Sequence, residues 1–198
     1  NNRVLIKAPN LGWDNVPVAD LLEKHLNMPI VVSSRPGAIL MAEHRRGIAK
    51  GKNEIALFLA SLGIGGAIMV SGSLVAGHRN SAGQIGHLPV TSGSEICTCG
   101  RNDCLDTKAS GHSILTRLGL VPRRDSKTGH GPADSKLLLE VKDKAEKGDL
   151  SARRSLNKSG FQLGRALRGI GTVLDPEIII IAGTLAQSQN YMHGVIQG

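Results

Sequence analysis

The chain has 198 residues, and its 24 Lys and Arg residues against 16 Asp and Glu residues give a formal net charge of +8 at pH 7. Hydrophobic residues make up 40% and charged residues 20%, which indicates a soluble globular protein and excludes a disordered chain. Aromatic residues make up only 2%, which argues against a nucleic-acid surface built on stacked rings. No apolar run approaches the roughly 20 residues that span a bilayer, and the N-terminus does not resemble a signal peptide. Because the chain begins at Asn1 without Met, we interpret it as part of a longer protein.

Apolar strands alternate with helical segments, a pattern typical of α/β architecture. The first third of the chain has a short apolar run at residues 4–6, and it predicts a helix at 16–26 with Asn15 as its N-cap. A strand is predicted at 29–32 and a second helix at 38–48. Two predicted strands follow at residues 53–62 and 64–71, and they meet near Gly63. A third begins at residues 74–75, after the turn at Gly72.

The second half of the chain predicts more helix than strand. Residues 81–107 are irregular and rich in Gly, Ser and Cys, and residues 122–132 form a polar, basic loop. Helices are predicted at 105–118, 134–147, 150–174 and 184–196. One apolar strand is predicted among them, at 177–182. Gly160 and Gly164 lie one turn apart in the long helix, so another backbone is expected to approach it closely there.

The strongest local signal is a group of four possible metal ligands, His87, Cys97, Cys99 and Cys104. Zinc prefers four tetrahedral N or S ligands, and four protein ligands leave no open coordination position. The pattern therefore predicts a structural zinc ion, and the alternative is three unrelated reduced thiols. Three Cys so close together do not form a disulfide framework, which favours a reducing, cytoplasmic location.

The same region resembles the ROK family of bacterial sugar kinases and sugar-responsive repressors. Residues 83–87 read Gly-Gln-Ile-Gly-His, and residues 97–106 read Cys-Thr-Cys-Gly-Arg-Asn-Asp-Cys-Leu-Asp. The family's usual motifs are G-E-x-G-H and C-x-C-G-x-x-G-C-L-E. Further matches lie at residues 9–17, at the glycine-rich residues 63–67, and at residues 175–181.

The resemblance implies an α/β, actin-like ATPase (ribonuclease H-like) fold, with a partial N-lobe plus most of the C-lobe. The end of the N-lobe would occupy residues 1–50, and the C-lobe residues 51–198 with the zinc-binding loop at 81–107. A sugar or effector pocket would lie between the lobes, formed by Ser34, Arg35, Gln84, His87 and Asp106. Gly63, Gly65 and Gly66 match the family's phosphate turn, although a tight strand-to-strand turn explains these glycines as well.

The chain departs from a working ROK kinase at several of these positions. Arg35 occupies the place of the catalytic Asp, and a guanidinium is protonated at any working pH, so it cannot act as a general base. Leu62 removes a hydroxyl from the phosphate turn, and Thr184 crowds a place where the nucleotide normally approaches backbone. In the sugar pocket Ser34 replaces Asn, and Gln84 and Asp106 each replace Glu.

These departures favour the effector-sensing and dimerisation region of a ROK transcriptional regulator without kinase activity. Such a protein would form a dimer or tetramer and bind DNA through a winged helix upstream of this chain. Neutral sugars should bind weakly or not at all, whereas Arg35 suits an anionic sugar derivative. The alternatives are an ATP-dependent hexose or N-acetylhexosamine kinase, and a degenerate module that only oligomerises. The basic residues from Arg117 to Arg154 either attract DNA or form a solvated helix face.

Overall fold

A computed structural model describes residues 3–8, 12–91, 93–123 and 131–198. The chain opens with an antiparallel hairpin of β1 (Leu5–Ala8) and β2 (Trp13–Val16), followed by helix α1 (Val18–Leu26). The prediction of a helix from residue 16 with Asn15 as its N-cap is wrong at its start. Backbone pairing with β1 holds residues 13–16 extended, and Pro17 is the residue that precedes the helix.

The second predicted strand, at residues 29–32, is also wrong. These residues have no strand partner in the described chain, and the Val31 side chain is 90% exposed, so β-branched residues alone did not produce a strand. Helix α2 (Arg35–Arg46) begins three residues before the predicted start. The Ser34 hydroxyl caps it by accepting a hydrogen bond from the Gly37 amide at 3.2 Å, and Pro36 fits the first turn of a helix.

A four-stranded sheet forms the centre of the chain. Its strands are β3 (Ile55–Ala60), β4 (Ile64–Val70), β5 (Ser73–Leu74) and β6 (Ile178–Ala182), and their order in the sheet is β5-β4-β3-β6. Strand β3 is antiparallel to β4 and parallel to β6. The predicted strands at 53–62, 64–71 and 177–182 are therefore confirmed, with ends shifted by a few residues.

Every side chain of β3 is buried, because the sheet is covered on both faces. Ala56, Phe58 and Ala60 join the core formed with the helices of the second half of the chain. The alternate residues of β3 join a second core with Leu40 of α2. The strand therefore positions its carboxyl end, at residue 60, between two rigid layers.

The helices of the second half pack on the first of these cores. They are α3 (Asp106–Ala109), α4 (Gly111–Arg117), α5 (Pro132–Glu146), α6 (Leu150–Leu174) and α7 (Gln189–Gln197). The single helix predicted at 105–118 is two helices, because the backbone of Ser110 is extended. The helix predicted at 184–196 is a short 3-10 turn (Leu185–Gln187) followed by α7, which Ser188 caps.

The close approach predicted at Gly160 and Gly164 is confirmed. A Cβ on Gly160 would collide with the backbone oxygen of Tyr191, and a Cβ on Gly164 would collide with that of Val195. Helix α7 thus lies directly on the backbone of α6.

None of the described helices is long and apolar enough to cross a membrane. Residues 9–11 of the family resemblance and residues 124–130 of the predicted basic loop fall outside the described residues.

Candidate functional site

A cavity of about 470 Å³ opens at the turn between β3 and β4, and we refer to it as the turn cavity. Arg35 and Pro36 at the start of α2 line one side, residues 61–65 line another, and Thr184 after β6 lines a third. The parallel strands β3 and β6 both end here, which is where an α/β sheet commonly binds ligands.

Hydrogen bonds from α3 and α4 hold this turn in place. The carboxylate of Asp106, which is buried, accepts a hydrogen bond from the Ile64 amide at 2.6 Å. The Gly111 and His112 amides at the start of α4 donate to the Ser61 and Leu62 carbonyls at 2.8 and 3.1 Å. Asp106 therefore supports the turn from behind, and in the described structure it does not line the turn cavity.

The three predicted phosphate-turn glycines differ in their surroundings. Gly63 and Gly65 line the turn cavity, and Gly65 lies against Pro36. Gly66 points elsewhere, since a Cβ on it would run into the Ile85 side chain. Two backbone amides near the glycines already form hydrogen bonds within the protein. The Ser61 amide donates to the Gly63 carbonyl at 3.0 Å, and the Ile64 amide donates to the Asp106 carboxylate. These contacts fit a tight structural turn.

The predicted sugar-pocket residues do not converge on one cavity. Ser34 lines a neighbouring cavity of about 300 Å³ with Gly37 and Gly66, whereas Arg35 lines the turn cavity. Gln84 is exposed, and His87 is half-buried at the end of the 3-10 helix Ile85–His87. Neither Gln84 nor His87 is among the described residues that line these two cavities.

The four predicted metal ligands do come together, and we call them the metal cluster. The ligand atoms of His87, Cys97, Cys99 and Cys104 all lie within 4.8 Å of one another. The His87 Nδ1 to Cys97 Sγ distance and the Cys99 Sγ to Cys104 Sγ distance are both 3.4 Å. The four side chains could hold a metal ion.

Backbone hydrogen bonds of the loop place these ligands. The Cys97 amide donates to the Arg101 carbonyl at 2.7 Å and the Gly100 amide donates to the Cys97 carbonyl at 2.8 Å, which closes a tight turn around Cys99. Gly100 takes a φ of 91°, a conformation that favours glycine. A bridge between Pro89 and Cys104 brings the His87 end of the loop to the last Cys.

Arg101 is a residue of this site that the sequence analysis did not single out, although its place between Cys99 and Cys104 was a signal. Its guanidinium donates to the His87 carbonyl and, at 3.5 Å, to the Cys104 sulfur. Burial alone would raise the pKa of the Cys99 thiol, but hydrogen bonds from Arg101 and the other thiols lower it to about 7. Burial raises the pKa of the Cys104 thiol to about 12. Cys99 is therefore the thiol that becomes a thiolate most easily.

Comparison with protein families matches the ROK family over residues 1–197, and the chain therefore belongs to this family. It is 29% identical over 189 residues to a glucokinase of Halalkalibacterium halodurans, covering 91% of this chain and 56% of the relative. It is 24% identical over 187 residues to the xylose repressor of Bacillus spizizenii, covering 94% of this chain and 46% of the relative. The chain thus spans about half the length of these relatives, one of them a kinase and one a repressor.

Solved structures confirm the fold. A ROK glucokinase of Streptomyces griseus, in complex with glucose and AMPPNP, superposes with a TM-score of 0.82 at 23% identity, over 99% of this chain and 65% of that one. A ROK family transcriptional regulator, a homologue of the Escherichia coli Mlc protein, gives a TM-score of 0.77 at 22% identity. This match covers 99% of this chain and 50% of the regulator. The expected α/β, actin-like ATPase fold is therefore correct.

Proposed function

We propose that the chain is the effector-sensing and dimerisation region of a ROK transcriptional regulator that does not phosphorylate sugars. The observation that carries this proposal is the composition of the turn cavity. Arg35 lies at its rim as the first residue of α2, and no Asp, Glu or His is among the described residues that line it.

Phosphoryl transfer to a sugar needs a group that accepts the proton of the attacking hydroxyl. An Arg guanidinium remains protonated and offers only donors. The remaining polar side chains described in the cavity are Ser61, Ser135 and Thr184, whose hydroxyls are poor bases near neutral pH. The cavity can bind an anion at Arg35, but none of its described residues would activate a hydroxyl.

The effector that fits best is an anionic sugar derivative, such as a sugar phosphate or sugar acid. Arg35 is exposed at the cavity, and its planar fork matches a phosphate or carboxylate. Ser34, Gln84, His87 and Asp106, the other residues predicted for the effector pocket, do not line this cavity, so Arg35 carries the proposed contact with the anion. Residues 1–50 and 51–198 are proposed as the two lobes. Gly63, Gly65 and Gly66 would then shape the turn without binding a nucleotide.

We also propose that the metal cluster holds one structural zinc ion. Three thiol sulfurs and one imidazole nitrogen are the donors that zinc prefers, and their mutual distances of at most 4.8 Å leave room for an ion among them. Bound zinc would cross-link the loop from His87 to Cys104, and all four coordination positions would be filled by protein. The complete regulator would be a dimer or tetramer that contacts DNA through a winged helix outside this chain.

The test uses the complete natural protein, with a ROK glucokinase as positive control. ATP-dependent phosphorylation of glucose, N-acetylglucosamine and N-acetylmannosamine should be undetectable. Calorimetry should show tighter binding of glucose 6-phosphate or gluconate than of glucose, and Arg35→Gln should remove that preference. Robust turnover would instead establish the kinase alternative. Absence of both binding and DNA recognition would establish a module that only oligomerises.

A further inference from the structure

A third cavity, of about 230 Å³, is lined by residues of α3, α4 and α6, and we call it the basic cavity. Its described lining is Thr91 from the metal-cluster loop, Lys108 from α3, Arg117 from α4, and Lys158 and Gln162 from α6. It shares no described lining residue with the turn cavity, and none of the four metal-cluster residues lines it. We propose that the basic cavity binds a phosphoryl group, as free phosphate or as a phosphate monoester.

Charge is the first argument. Three of the five lining side chains are cationic, and they come from three different helices that the fold brings together. Neither Lys108 nor Lys158 forms an ion pair within the described residues. Burial lowers the pKa of Arg117, and among the described residues the carboxylate of Glu95 opposes this shift. A small space with three cations and one neighbouring acid attracts a dianion.

Preorganisation of Arg117 is the second argument. Its Nη1 donates to the Ser155 carbonyl, the Ser155 hydroxyl and the Ser159 hydroxyl, each at 3.0 Å. Its Nη2 donates to the Lys108 carbonyl at 3.4 Å. The guanidinium is therefore fixed before a ligand arrives, so binding does not have to order this side chain.

Gln162 supplies the third argument, since it points to phosphate over other oxyanions. Its Oε1 atom is buried and has no hydrogen-bond partner among the described residues. A buried acceptor without a donor is costly. If the Gln162 amide turns its oxygen into the cavity, the P–OH group of monohydrogen phosphate can donate to it. Sulfate is a dianion of similar size near neutral pH but has no proton to donate. The cavity should therefore bind phosphate more tightly than sulfate.

The experiment measures binding of inorganic phosphate to the complete zinc-loaded protein by calorimetry, with ionic strength held constant by chloride. Phosphate should bind and also raise the melting temperature by mass action. Lys158→Gln should weaken binding at least about tenfold, because a hydrogen bond to a charged group is lost. Lys158 is exposed, so this variant should fold normally. Glycerol 3-phosphate, tested alongside, distinguishes a monoester ligand from free phosphate, and either one binding at this cavity supports the proposal.

Two control variants locate the site. Lys144→Gln removes an exposed charge from α5 and should leave phosphate affinity unchanged. Arg35→Gln removes the cation of the turn cavity, so any phosphate bound there is lost, and phosphate binding at the basic cavity should persist in this variant. The proposal is overturned if phosphate does not bind, if sulfate binds equally well, if Lys158→Gln binds as tightly as the parent, or if Arg35→Gln alone abolishes binding. The last result would assign phosphate to the turn cavity, where the proposed effector site lies.

Discussion

The crossing of α6 and α7 allows one substitution to be compared at two positions of the same helix with opposite expected effects. Gly160 and Gly169 both lie inside α6, yet a Cβ added to Gly160 would strike the Tyr191 backbone, whereas a Cβ added to Gly169 would meet nothing within 4 Å. Replacing glycine by alanine in an open helical position stabilises by roughly 0.8–1 kcal/mol. Adding a methyl group to a packed contact typically costs about 1–3 kcal/mol.

The two free energies of unfolding should therefore differ by roughly 2–4 kcal/mol, with Gly169→Ala above the parent and Gly160→Ala below it. For a chain of this length each kcal/mol shifts the melting temperature by about 2–4 °C, so the gap should be on the order of 10 °C. Urea denaturation followed by circular dichroism measures both values. If Gly160→Ala is as stable as Gly169→Ala, then α7 does not rest on the backbone of α6.

Three further predictions concern the site and its support. Cys99→Ser should lower zinc content well below one equivalent per chain, measured by elemental analysis, and proteolysis should then cut residues 81–105 first; full zinc content in this variant would refute the ligand set. Tyr191→Phe removes a 2.9 Å hydrogen bond from the buried hydroxyl to the Ala109 carbonyl, and urea denaturation should show a loss of about 1–3 kcal/mol. A hydrogen bond from the Asn53 amide holds the pKa of Glu177 below its usual range. The stability that this carboxylate contributes is therefore present above the unfolded pKa of about 4.3, and it is lost as pH falls through the pKa of the folded state. Melting curves of Glu177→Gln should accordingly approach those of the parent toward pH 3 and lie below them at pH 6.

The sequence predicted the sheet better than it predicted the N-terminal region. Residues 55–60 and 178–182 form continuous apolar runs, and such runs become strands because the sheet is buried on both faces. Residues 29–32 are also rich in β-branched side chains, but within the described part of the chain they have no strand to pair with. The strand at residues 13–16 is not predicted from the sequence, because it forms by pairing with β1 and local propensity does not reveal that pairing.

The candidate site shows the same division. The spacing of His87 and the three Cys residues was enough to predict that these side chains meet, since a short loop leaves them few other arrangements. The contact between Asp106 and the Ile64 amide joins residues 42 positions apart, so only the tertiary structure could show it. Likewise, Ser34 and Arg35 are neighbours in the chain, and nothing in their sequence separates them. They line different cavities because α2 begins between them.

The short segment from Cys104 to Gly111 limits the insertions and deletions that the protein can accept. Cys104 belongs to the metal cluster, Asp106 holds the turn, the Ala109 carbonyl accepts from Tyr191, and the Gly111 amide donates to Ser61. One inserted residue in a helical turn rotates all later residues by about 100°, so it would break several of these contacts together. We therefore expect evolutionary insertions and deletions to be excluded from these eight positions.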